Sequence, residues 1–147
     1  MRKSLKRSCS IASIVLPALF LACGGDSTSP ANTATGNYTA IEFVTTGSGG
    51  QHNEINAGST LVLNLNANGT TSGHLHMSSQ STGGAAFDAD MAGTWTQTGM
   101  IVNIDQAADT FVRDMPLELS ANIVGGWDLV GDETFSATRI QITLRRS

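Results

Sequence analysis

From Gly36 onward, apolar side chains alternate with polar ones instead of recurring every third or fourth residue. On an extended backbone successive side chains point to opposite faces, so a period of two predicts half-buried strands and leaves no stripe for an amphipathic helix. Leu61, Leu63 and Leu65 point one way, while Asn64 and Asn66 point the other. After Asn66-Ala67-Asn68-Gly69 the pattern resumes at Thr70 and runs to Met77. Asn-Gly between two alternating runs predicts a hairpin.

The same reading places a first strand over Asn37–Thr46, carrying Tyr38, Ile41, Phe43 and Val44, followed by a glycine-rich loop from Gly47 to Gly58. Further strands are expected over Ala85–Met91, Thr94–Thr98, Met100–Ile104 and Thr110–Arg113. Leu117, Leu119, Ala121, Ile123, Trp127 and Leu129 keep one parity across a bend at Gly125-Gly126, and a last strand runs from Phe135 to Arg145 with Ile140, Ile142 and Leu144 together. Composition agrees: charged residues are 14% and aromatics 5%, with 16 glycines, a balance of strands and turns and not of helices.

About eight or nine short strands at this spacing make an all-β domain, either a small antiparallel barrel or a β-sandwich. The chain has a Gly-x-Tyr opening strand (Gly36, Tyr38), a Leu-x-Leu-x-Leu strand with a glycine hairpin and a Gly-x-Trp (Gly93, Trp95) feeding a turn and an aliphatic strand. It ends on Phe-x-Ala-x-Arg-Ile-x-Ile-x-Leu. In these features residues 36–145 resemble the small lipocalin-like domains of bacterial lipoproteins, which implies a barrel. The expected interior is Leu61, Leu63, Leu65, Leu75, Met77, Met100, Val102, Ile104, Leu117, Leu119, Ile123, Ile140, Ile142 and Leu144, with Trp95 and Trp127 closing the ends. A domain of about 110 residues without disulfides needs most of its large side chains to offset backbone ordering. A packed core is therefore favoured; a cavity for a small apolar ligand is the alternative.

Ahead of the domain, residues 1–22 have the three parts of a secretory signal: basic Arg2, Lys3, Lys6 and Arg7, an apolar stretch from Ile11 to Leu21, and the small Ala22. That stretch falls short of the ~18–20 residues a spanning helix needs. The segment Phe20-Leu21-Ala22-Cys23 resembles the lipobox of bacterial lipoproteins, with Phe20 where leucine is commonest. The resemblance implies a diacylglycerol, and hence fatty acyl chains such as palmitate, on the Cys23 sulfur, and cleavage before it. Cys9 leaves with the leader, so Cys23 is the one cysteine of the mature chain and no internal disulfide can form. Gly24 follows, not the aspartate that acts as a retention signal in enteric bacteria, and the resemblance thus points to the outer membrane. Residues 23–35 carry no large apolar side chain and read as a disordered linker. The globular domain is expected over 36–147.

Past the leader, twelve carboxylates face only Arg113, Arg139, Arg145 and Arg146, a net charge of −8. Such a surface repels polyanions, and nucleic acid is excluded as a partner. His74-x-His76 is the sharpest chemical feature, because residues two apart on a strand share a face and two imidazoles could ligate zinc, with His52 or Glu54 as a third ligand. The competing reading is a solvated outer face opposite Leu75 and Met77. Asp88-x-Asp90, Asp105 with Asp109, and Asp132-Glu133 lack calcium-loop spacing. Gly-x-Ser-x-Gly, P-loop and dinucleotide motifs do not occur, and no cofactor is implied. The expectation is a lipid-anchored, non-enzymatic envelope module that binds a small apolar ligand or an envelope protein. A small metal-dependent enzyme using His74 and His76, and a sandwich-type adhesion domain, are the alternatives.

Overall fold

The computed structural model describes residues 34–147; the leader and Cys23 lie outside the described residues. Ten strands form: β1 (Gly36–Gly47), β2 (Gly50–Asn53), β3 (Thr60–Leu65), β4 (Thr70–Met77), β5 (Phe87–Asp90), β6 (Gly93–Thr98), β7 (Ile101–Gln106), β8 (Leu117–Ala121), β9 (Trp127–Phe135) and β10 (Thr138–Arg146). Two four-residue helical turns, α1 (Ser79–Thr82) and α2 (Phe111–Asp114), sit in the connections. Every strand pairing is antiparallel.

β10 pairs with β1 from Tyr38 opposite Arg146 to Thr46 opposite Arg139, which closes the sheet on itself. The fold is therefore a lipocalin-like barrel, and the sandwich is set aside. Eight strand positions run round it. β5 and β6 occupy one of them, because they meet β4 in a single register, His74 opposite Asp90 and Thr71 opposite Gly93, with the Met91 N–H donating to the Gly73 carbonyl between them. β2 folds back on the second half of β1.

One contiguous apolar cluster fills the interior. Leu61, Leu63, Leu65, Leu75, Trp95, Val102, Ile104, Leu117, Leu119, Ile142 and Leu144 are buried as the alternation predicts, joined by Tyr38, Phe43, Met91 and Leu129. Each buried aliphatic chain contributes ~1.5–3 kcal/mol, and a filled barrel is how a disulfide-free domain of this size offsets its ordering cost.

Several expectations are corrected. Thr110–Arg113 is not a strand: Thr110 precedes α2, and this connection turns inward to bury Val112 and Met115 over one mouth of the barrel, with the Phe111 ring 5.3 Å from that of Phe43. The loop Gly47–Gly58 contains β2, joined to β1 by the turn Ser48-Gly49. Phe135 ends β9, and the turn at Ser136-Ala137 separates it from β10. The strand expected over Ala85–Met91 narrows to β5. Ile41 is a β-bulge, skipped between Ala40 opposite Leu144 and Glu42 opposite Thr143. A bulge reverses parity, so Tyr38 and Phe43 both face in while Ile41 faces out. Met100 and Ile123 are not interior: both sit in turns, and Ile123 is fully exposed. Met77, Trp127 and Ile140 pack on the core only partly buried. Ala34 is buried and accepts a 2.7 Å hydrogen bond from the Tyr38 hydroxyl, so the barrel begins ahead of Gly36.

Because the chain winds up and down, its connections alternate between two rims. Turns Asn66–Gly69, Gly99-Met100 and Asn122–Gly126, together with the start of β1 and the end of β10, form one rim, which we term the proximal rim. The longer connections, with α1 and α2, form the distal rim. Among the described residues no helix is long and apolar enough to cross a membrane.

Candidate functional site

The outer face of β4 and β5 brings the two histidines against two aspartates. Register places His74 opposite Asp90 and His76 opposite Asp88, and side chains opposite one another on one face of an antiparallel pair are close enough to interact. One Asp88 oxygen bonds both rings, 2.9 Å from His74 Nε2 and 2.8 Å from His76 Nδ1, while His74 Nδ1 lies 3.3 Å from Asp90. With a carboxylate at each ring nitrogen, His74 is suited to donate twice, as the imidazolium. Hydrogen bonds to Asp88 and then Asp90 accordingly raise its pKa above the ordinary 6.5. The bonds from His76 and His74 lower that of Asp88 below 3.8.

All four side chains are solvated, so this is charge pairing in water, a modest term. A metal would have to displace protons from nitrogens already directed at carboxylates. Among the described residues no group of three or more His, Cys, Asp or Glu side chains is arranged to hold a metal ion. His52 and Glu54, the candidate third ligands, belong to β2 and the loop after it, next to β1. There Glu54 is buried, accepts a 2.5 Å bond from the Thr45 hydroxyl and lies 3.4 Å from His52 Nδ1.

The linkage has a definite sign. A raised histidine pKa stabilises the fold below pH 6.5, and the contribution is lost as pH rises through the raised value. A lowered aspartate pKa stabilises it above pH 3.8, and the contribution is lost as pH falls through the depressed value. The His74–Asp88 pair therefore supports β5 on β4 most fully between those limits. In an NMR titration His74 should titrate above 6.5, and Asp88→Asn should return it toward 6.5; an unchanged midpoint in the variant would show that Asp88 does not hold the proton.

Elsewhere the cations are engaged by the protein itself. Arg113 meets Asp109 and Asp114, Arg139 makes a two-point bond to Asp132, Arg145 reaches Asp128, and Arg146 lies over the Tyr38 ring at 5.7 Å. A shallow depression of about 90 Å³ marks the wall between β6 and β7, lined by Thr94, Trp95, Thr96, Asn103, Ile104 and Asp105.

Alternation alone could not find one further constellation. Asn122 organises the β8–β9 turn: its Oδ1 accepts from the backbone N–H groups of Val124 and Gly126, and its Nδ2 donates to Asp128 at 2.9 Å. Burial pushes the Asp128 pKa up, but the bonds from Arg145 and Asn122 outweigh that and hold it below 3.8. The only sequence signal for this network was the Asn…Gly-Gly turn.

No family model, curated protein or solved structure matches the chain.

Proposed function

We propose that the chain is a lipoprotein of the cell envelope, anchored on the outer membrane by acyl chains on Cys23, whose barrel is a non-enzymatic interaction module. The observation that carries this reading is the sequence Phe20-Leu21-Ala22-Cys23 after a basic and apolar leader, with Cys23 only eleven positions ahead of Ala34, the first buried one among the described residues. Anchoring through more than one acyl chain holds a protein on a bilayer without a spanning segment. The packed interior supports contact through the outer surface and rims over enclosure of an apolar ligand. The net charge supports partners other than nucleic acid.

Cys23→Ser tests the anchor. The wild-type chain made in a diderm bacterium should fractionate with membranes and have an N-terminal peptide heavier by its acyl groups, whereas the variant should leave the membrane fraction. An unchanged distribution, with an unmodified Cys23, would refute the reading.

A further inference from the structure

The proximal rim carries an apolar apex that the fold leaves uncovered. Ile123 is fully exposed and Val124 is 75% exposed at the tip of the β8–β9 turn, while lower on the same rim Met100, in the β6–β7 turn, and Ile101, at the start of β7, are 42% and 39% exposed. Exposed aliphatic residues are ordinary when scattered; two consecutive ones almost wholly exposed at the tip of a turn are not.

The apex is also held in shape. Arg145 bonds Asp128, Asp128 accepts from Asn122, and Asn122 accepts from two backbone N–H groups of the turn. Its own N–H donates to Gly126 and its carbonyl accepts from Gly125. The turn is thus fixed from both its backbone and its side chains, and it presents Ile123 and Val124 outward with little further ordering to offset.

Charge separates the two rims. Among the described residues the three turns of the proximal rim contain no charged side chain, whereas the distal connections carry Glu54, Asp109 and Asp114 against the single Arg113. An acidic protein approaching a bilayer of anionic lipids is repelled least through an end whose carboxylate, Asp128, is buried and bonded to Arg145. Trp127 belongs to the proximal rim, and Trp95, in the core, braces it from inside. Trp127 starts β9 half-buried, and the Trp95 indole N–H donates to the Asn66 carbonyl in the β3–β4 turn. The half-exposed ring of Trp127 suits the headgroup level of a membrane.

The position of the anchor identifies the occupant. The chain joins the barrel at this same rim, through Ala34 bonded to Tyr38. Eleven positions separate it from Cys23, a span of at most ~40 Å even when fully extended. We infer that the proximal rim faces the bilayer and that Ile123 and Val124 insert at its headgroup–acyl boundary, so that the barrel stands on the membrane in one orientation with its distal rim outward. This orientation rests on the lipoprotein reading for its native anchor.

The test separates the two. A Cys9→Ser chain is coupled through the Cys23 thiol to a maleimide lipid in phosphatidylethanolamine–phosphatidylglycerol vesicles, which supplies an anchor whether or not cells acylate Cys23. Tryptophan emission is compared between plain and dibrominated acyl chains. The bromines should quench the coupled protein. Ile123→Ser/Val124→Ser, folded by circular dichroism, should dock at least about tenfold more weakly, given the worth of two aliphatic side chains, and lose most of the quenching. Ile123→Leu/Val124→Ile should keep it. Equal emission in the two lipids, or equal quenching of the serine variant and the parent, would overturn the orientation and leave the lipoprotein reading standing. Quenching by the coupled chain alongside an unmodified Cys23 in cells would support the docking surface and remove its natural anchor.

Discussion

Gly73→Ala should be among the most damaging single-atom changes the barrel can suffer. Gly73 has φ +131°, a conformation L side chains rarely adopt, and a Cβ there would collide with the Val62 carbonyl oxygen and lie 2.8 Å from its carbon and 3.1 Å from the Leu63 Cα. Those atoms are backbone of the neighbouring strand, so no flexible side chain can move aside. β3 would have to part from β4, across a ladder that runs from Thr60 opposite His76 to Leu65 opposite Thr71. Backbone strain of ~1–3 kcal/mol adds to the steric cost, for an expected loss of about 4 kcal/mol, against a total stability of ~5–15 kcal/mol for a domain. The urea midpoint should fall by about 2.7 M at a slope of about 1.5 kcal/mol per molar. Gly84→Ala, where a Cβ meets nothing within 4 Å, should stay within about 0.5 kcal/mol of the parent. Equal midpoints for the two variants would mean that close approach at β4 is not what Gly73 provides.

Phe43→Ala removes the ring at the closing seam. Phe43 is 0% exposed, pairs across the seam with Ile142, and its ring tilts against that of Phe111 at 42°. Truncating a buried phenylalanine costs ~3–5 kcal/mol, which lowers the melting temperature of a domain this size by roughly 15–20 °C. Phe111 loses its ring contact too, so amide exchange over Phe111–Met115 should accelerate more than in β3. Ile41→Ala is the matched control in the same strand, two residues away and 47% exposed at the bulge; it should cost well under about 1 kcal/mol. Comparable losses from the two variants would place the core boundary of β1 elsewhere.

The strands that alternation located best are those with a long run on one parity and a glycine turn beside them, such as β3 and β4. Their faces followed directly, because burial of leucines at every second position leaves one possible register. Alternation failed where tertiary closure decides. Nothing local distinguishes the bulge at Ile41 from an ordinary strand position, yet it exchanges the two faces of β1. Thr110-Phe111-Val112 has strand-like residues, but a mouth left open at the distal rim is better closed by a helical turn that buries Val112 and Met115. β2 carries only Gly-Gln-His-Asn and gives no apolar signal, since it covers no core.

The His and Asp pairs were each legible as period-two motifs; their meeting was not. It depends on the register of β5 on β4 across a connection containing α1, and no residue in that connection fixes the register in advance. Ile123 was misplaced for a related reason: hydrophobicity marks an aliphatic side chain but does not say whether the backbone has already turned.

The seam joining β1 to β10 sets when this molecule can come into being. Tyr38 faces Arg146 across nearly the full length of the described chain, and a pairing between such distant segments forms late, after the loop-closure entropy of everything between has been overcome. A chain without β10 has no way to shut the cylinder, so the closed barrel can assemble only once that strand has been made.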